Sequence, residues 1–197
     1  MAVRDLVLYP DDRLRVTCPD VQDVKAPHIQ SLITDMVDTM YDAPGVGLAA
    51  PQVAELVRVI VIDTREPEEE TPQLHVLVNP VIVEREGQIT WEEGCLSIPG
   101  VFSEVRRSQR IRVQAIDRHG EPFELEATDL LAVCIQHEID HLNGVLFLDH
   151  LSRLKLRMAL KTYKRTLPNH LEEMEKKRAK ADGVEIDTPV ELERAEA

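Results

Sequence analysis

The segment LLAVCIQHEIDHLNGVLF, Leu130 to Phe147, decides the fold. Thr128–Asp129 offers an N-cap and an acidic first turn, and Gly144 offers a C-terminal stop, so the residues between read as a helix. Leu130, Leu131, Val133, Cys134 and Ile135 make its first half apolar on nearly every side, the pattern of a helix inside a core. Five of the next six residues, Gln136, His137, Glu138, Asp140 and His141, are polar or ionisable. Burying such groups unpartnered costs about 1–3 kcal/mol each, and more for a charge, so something must satisfy them. His137 and His141 are four apart and therefore neighbours on one helical face. Two imidazoles so placed can hold one metal ion, with Glu138 beside them as general base, the HExxH arrangement. The motif is short enough to arise by chance; its setting in an otherwise apolar helix gives it weight.

Catalytic ion sites commonly use three protein ligands and leave a position open for water. The extended pattern HExxHxxGxxH is met at Gly144, but Phe147 stands where its third histidine belongs. The third ligand must come from elsewhere. Cys95 follows Glu93–Gly94 in a glycine-bearing bend and is the preferred candidate. Cys134, three residues before His137, is the rival, although it sits in the most apolar stretch, where a free cysteine usually acts as a small core hydrophobe. Cys18, in a turn near the N-terminus, reads as inert.

A chain of 197 residues with 43% hydrophobic content suits one domain with a substantial, mainly aliphatic core, since aromatics make up only 4%. Three widely spaced cysteines form no disulfide framework and suit a reducing compartment. MAVRDLVLYPDDRL lacks the apolar stretch of a signal peptide and is too acidic for a transit peptide; no apolar run approaches the ~20 residues that cross a bilayer. A cytoplasmic protein with no membrane role is expected. The net charge of −13 argues against a general DNA- or RNA-coating protein. That charge is uneven: residues 151–180 carry 10 Lys and Arg against 3 Asp and Glu, while residues 1–150 carry 12 against 27. The simplest reading of the basic block is a solvated helix.

The opening to about residue 25 reads as loop and turns. Ile29, Leu32, Ile33, Met36, Val37 and Met40 follow helical spacing over 27–42, an amphipathic helix. GVGLAAPQ, Gly45 to Gln52, places two glycines two apart, a sign of close backbone approach. It lacks the Lys-Ser/Thr of a phosphate loop and follows a helix, so a nucleotide site is disfavoured. Strands are expected at 57–62, at 74–83 with a break at Asn79–Pro80, at 88–91, as one run over 105–116, and at 123–126. A hairpin turn is expected at Glu84–Gly87. Arg106, Arg107, Arg110 and Arg112 read as a solvated strand face, with substrate or ion-pair contact as the alternative; His28, His75, His119, His150 and His170 receive no role. Asp140 reads as an ion-pair partner or as an orienter of a ligand histidine, and Gln136 as a local hydrogen-bonding group. Strands in the middle with helices before and after argue α+β with mostly antiparallel or mixed sheets. A basic helix over 151–167 follows, interrupted at Pro168. The expected organisation is one catalytic domain, 1–167, and an extension, 168–197, helical at first and then an acidic mobile tail.

The blocks GVGLAAPQ, EGCLS (93–97) and QHEIDH, in this order and at these separations, resemble the signature of peptide deformylases, most nearly the type found in Gram-negative bacteria. The resemblance spans residues 3 to about 165 and is far more specific than HExxH alone. It implies an α+β fold with the HExxH helix at its centre. It implies Cys95, His137 and His141 as metal ligands and Glu138 as base. Gln52 and the Leu96 N–H would hold the formyl oxygen, and Gly47 would contact the substrate backbone. It also implies removal of the N-formyl group from the formylmethionine of newly made polypeptides, with release of formate. In the expected reaction hydroxide on the ion attacks the formyl carbon while Glu138 takes and then returns the proton. Val46, Trp91, Leu130 and Val133 are candidate walls for the methionine side chain, against the simpler reading that they are core. One divalent ion is expected: Fe²⁺ by resemblance, with Zn²⁺, Ni²⁺ or Co²⁺ compatible with a thiolate and two imidazoles. The basic C-terminal helix is similar to one that contacts the ribosome near the exit tunnel. Two competing readings are a zinc endopeptidase, which needs a third His or Glu ligand, and a structural metal module closed by a fourth ligand such as Cys134.

Overall fold

The computed structural model describes residues 2–64 and 73–181. In chain order it contains a 3-10 turn at Asp12–Arg15, helix α1 (Pro27–Asp42), strand β1 (Gly47–Ala49), a 3-10 turn at Ala50–Val53, β2 (Val59–Ile62) and β3 (His75–Glu86). There follow β4 (Ile89–Glu93), β5 (Ser103–Arg107), β6 (Arg110–Ile116), β7 (Pro122–Thr128), α2 (Asp129–Leu142), a 3-10 turn at Phe147–His150 and α3 (Arg153–Ala181). Five strands in the order β1-β2-β3-β6-β7 form the main sheet, and β4 pairs with β5 alone; every pairing is antiparallel. The class is α+β.

The sequence VIVI of β2 explains how the layers meet. Successive side chains of a strand point to opposite faces, and all four of these are buried. Val59 and Val61 pack with Ile29, Leu32, Ile33, Met36 and Met40 of α1. Ile60 and Ile62 pack with Ile135, Ile139 and Leu142 of α2, together with Ile111 and Val113 of β6. The two helices thus cover opposite faces of one sheet, each fully buried Val or Ile contributing about 1.5–3 kcal/mol. A third cluster, with Ile98, Val101, Val105, Phe147 and Tyr163, joins the small sheet to α3.

The N-terminal arm closes the end of α2. The Cys18 N–H donates to the Leu142 carbonyl at 2.8 Å. Gly144 has φ +71°, and a Cβ on it would collide with the Arg15 carbonyl. Glycine is needed there for both reasons.

Several local expectations change. Residues 105–116 form two strands in different sheets. The backbone between them is satisfied by the Gln136 side chain, which accepts from the Ser108 N–H (3.1 Å) and donates to the Ser108 carbonyl (2.9 Å). β3 runs through Asn79–Pro80 as a bulge: Asn79 has φ +52°, the register shifts between Val78 and Val81, and the Asn79 amide pairs with the Val21 backbone. A bulge tolerates a proline because the ladder is already locally open. Glu84–Gly87 is no hairpin turn, because β3 pairs with β2 and β6, while β4 lies in the other sheet. Thr128 occupies the N-cap of α2 without a side-chain cap hydrogen bond. Pro168 does not interrupt α3, which runs unbroken from Arg153 to Ala181. A proline inside a helix removes one i→i−4 bond and costs about 3 kcal/mol. Packing offsets that cost: Tyr163 is buried and donates to the Tyr9 carbonyl at 2.6 Å, and Thr166 donates to the Pro99 carbonyl at 3.3 Å. The acidic tail lies outside the described residues. Among the described residues no helix is long and apolar enough to cross a membrane.

Candidate active site

Helix α2 brings His137, Glu138 and His141 to one buried patch, and the bend after β4 brings Cys95 to meet them. Cys95 Sγ lies 3.2 Å from His141 Nε2, and the imidazole rings are 5.1 Å apart. One donor atom from each of Cys95, His137 and His141 falls within 4.8 Å of the others, and among the described residues no fourth Cys, His, Asp or Glu joins this group. Of the two candidate cysteines, Cys95 is the one that stands with the histidines. Cys134 lines the adjacent cavity but stays outside the cluster, its thiol pushed up to about 12 by burial. Cys18 is buried elsewhere, against the Val16 carbonyl.

A chain of charge holds His137. His137 Nδ1 is 2.8 Å from the Glu93 carboxylate, which leaves Nε2 as the free ring nitrogen. Glu93 in turn takes two bonds from the Arg107 guanidinium, 2.7 and 3.0 Å. Arg107 also reaches Asp140, whose other partner is His150 at 2.7 Å. Burial alone would raise the Glu93 carboxyl; the Arg107 and His137 contacts outweigh it and hold the group below its usual range. Arg107 is therefore not on a solvated strand face: its side chain is 5% exposed. Arg110 and Arg112 do lie outward, paired with Glu86, Glu126, Glu84 and Glu124. Sequence reasoning missed Glu93 and His150, and gave Arg107 an ion pair only as the alternative to a solvated face. Period-two alternation was the available signal, since Arg107 shares a face with buried Val105.

Glu138 is buried, its carboxyl pushed up to about 7 chiefly by burial, and its Oε2 has no partner among the described residues. His141 Nδ1 is also buried without one. A Cβ on Gly47 would stand 2.6 Å from Glu138 Oε1, so the absent side chain at 47 makes room for this carboxylate. Gln52 is buried with both ends fixed: Oε1 accepts from the Ala49 N–H at 2.8 Å, and Nε2 donates to Ser97 Oγ at 3.2 Å and toward Cys95 Sγ at 3.5 Å. A cavity of about 880 Å³ opens on this group. Val46, Gly47, Gln52, Trp91, Leu96, Leu130 and Val133 line it with Cys95, His137 and Glu138. His170, without a role in the sequence reading, also reaches it, with Glu173, Met174, Lys177 and Arg178 of α3.

Arg107→Met takes the guanidinium from buried Glu93 and half-buried Asp140, leaving each carboxylate only a histidine partner, and is expected to destabilise the fold by about 3–5 kcal/mol in urea unfolding. Adding Glu93→Gln recovers part of that loss; strictly additive losses would contradict the coupling.

A family model described as polypeptide deformylase matches residues 3–157. The chain is 53% identical over 163 residues to the peptide deformylase of Hydrogenovibrio crunogenus, covering 83% of this chain and 94% of that protein. It resembles the crystal structure of a peptide deformylase from Legionella pneumophila with a TM-score of 0.81 and 46% identity, over 86% of this chain and 98% of that one. A class I type b peptide deformylase from Acinetobacter baumannii, solved with Met-Ala-Ser bound, matches with a TM-score of 0.71 and 32% identity, over 76% and 99%. The Cys-His-His cluster stands within the matched region, and the chain belongs to the polypeptide deformylase family.

Proposed function

We propose that this chain removes the N-formyl group from the formylmethionine of newly made polypeptides in the cytoplasm, releasing formate. The observation that carries this reading is the three-donor cluster of Cys95, His137 and His141 opening on a cavity beside a buried Glu138 whose Oε2 has no partner among the described residues. A thiolate and two imidazoles, one oriented by a carboxylate, suit a divalent transition ion, and three donors leave one position open. Fe²⁺ is the ion proposed from the family resemblance, and Zn²⁺, Ni²⁺ or Co²⁺ fit the same donors. When bound, such an ion supplies a Lewis acid for the formyl carbonyl and a water acidic enough to react near neutral pH.

The remaining work falls to the chain. Glu138 takes the proton of the attacking water and passes it to the leaving amine. As charge grows on the formyl oxygen, the Gln52 side-chain amide and the Leu96 N–H donate to it. The Ala49 N–H holds the Gln52 amide in the orientation that presents Nε2. Each such donor is worth about 10²–10³ in rate. Gly47 and Val46 lie along the substrate backbone, and Leu130, Val133 and Trp91 wall the slot for the methionine side chain. The central α2 is thus rigid support for ligands and base alike.

The basic first half of α3 is proposed to contact the ribosome near the exit tunnel. Arg153, Arg157, Lys161, Lys164 and Arg165 share one exposed helical face and make no ion pair among the described residues. Cations left free of carboxylates are available to phosphate. Reversing Arg157, Lys161 and Lys164 to Glu is expected to weaken ribosome co-sedimentation at least tenfold at low salt. Equal retention would remove this surface from the account.

Glu138→Ala is expected to lower formate release from a formyl-Met peptide at least 10³-fold while the metal content stays full. Gly47→Ala, which pushes on the same carboxylate, should cost at least tenfold in kcat. Near-normal turnover of metal-replete Glu138→Ala would end the proposed role.

A further inference from the structure

We infer that the second half of α3 is a wall of the substrate cleft and binds the polypeptide beyond its formylmethionine. This rests on the deformylase reading above and adds to it the length of chain that the enzyme recognises. The family match ends at residue 157, yet α3 continues to Ala181. Beyond Pro168, residues His170, Glu173, Met174, Lys177 and Arg178 fall at i, i+3, i+4, i+7 and i+8, a single helical face, and all five line the cavity that holds Cys95 and Glu138.

The helix is fastened to both rims. On one side Lys177 Nζ reaches the Asp42 carboxylate (2.7 Å) and carbonyl (2.8 Å), and Arg178 pairs with Asp5. Asp42 ends α1, immediately before the loop that carries Val46 and Gly47. On the other side Thr166 abuts Gly100, where a Cβ would stand 2.9 Å from its hydroxyl. The cavity of about 880 Å³ lies near the top of the range of roughly 300–1,000 Å³ in which drug-sized molecules bind. One formylmethionine is smaller than such a molecule, so room remains for the residues that follow it. Two features of the wall suit a peptide there. Met174 is half-buried and offers an adaptable apolar contact. His170, half-buried, lines the same cavity one turn earlier and adds ring surface for a peptide to lie against. The wall therefore favours polypeptides over formylated dipeptides, with an apolar side chain meeting Met174.

The test compares formyl-Met-Ala with formyl-Met-Ala-Leu-Ser-Leu on the full-length, metal-replete protein. Met174→Asp is expected to lower the pentapeptide-to-dipeptide ratio of kcat/KM three- to tenfold, through KM. His170→Ala should lower it in the same sense. Glu175→Gln, exposed and outside the cavity, serves as control. Identical ratios in wild type and all three variants would overturn the inference. If wild type releases no formate from either peptide, the deformylase reading fails instead. Fluorescence of Trp91, the single tryptophan of the chain and a cavity residue, then decides by titration with unformylated Met-Ala-Leu-Ser-Leu. At least threefold weaker binding to Met174→Asp supports the wall, and equal binding overturns it.

Discussion

Arg107 stands between the carboxylates of Glu93 and Asp140 with its side chain 5% exposed, and the polar face of α2 depends on that contact. Removing ions from water costs several kcal/mol each, and their attraction offsets this only when geometry and hydrogen bonding are good. Here they are: the guanidinium makes two bonds to Glu93, and Glu93 keeps its second role of fixing His137 Nδ1. Such a network adds little net stability over an apolar core of equal volume. What it does is hold one ring in one tautomer and one orientation. A ligand histidine free to turn would lose the geometry that a metal requires.

The same helix serves the core and the site because two of its faces bury different chemistry. Ile135, Ile139 and Leu142 lock it to the sheet. His137, Glu138 and His141 face the bend at Cys95 and the loop at Gly47. Rigidity comes from the first set and the proposed chemistry from the second. At Gly47 no side chain fits, because the Glu138 carboxylate takes its place. The glycine in GVGLAAPQ therefore answers to α2 as well as to whatever occupies the cavity.

Much of this was readable in the residues. The stripe from Ile29 to Met40 and the apolar start of α2 are periodic patterns long enough to stand on local physics, and both helices lie where the spacing puts them. The approach of Cys95 to His137 and His141 is nonlocal; the chemistry of ion sites narrowed it to two cysteines with Cys95 preferred, and the fold brings Cys95 to the histidines. What failed was of one kind. Ser108 ends β5 because a glutamine 28 residues away pairs with its backbone. Asn79–Pro80 makes a bulge because Val21 fills the opened ladder. Pro168 stays in a helix because packing on Tyr9 and Pro99 outweighs a lost bond. Arg107 looked like a surface residue because its two carboxylates lie 14 and 33 positions distant. In each case a tertiary partner overrode a local preference.

The central claim is that one thiolate and two imidazoles of this chain hold the ion, with Cys95 as the source of sulfur. X-ray absorption on anaerobically purified protein tests it most directly. With zinc bound, the account predicts one sulfur at about 2.3 Å and two nitrogens at about 2.0–2.1 Å in the first shell. The sulfur should vanish in Cys95→Ser and remain in Cys134→Ser. A shell without sulfur, or one that loses it only in Cys134→Ser, would contradict the account.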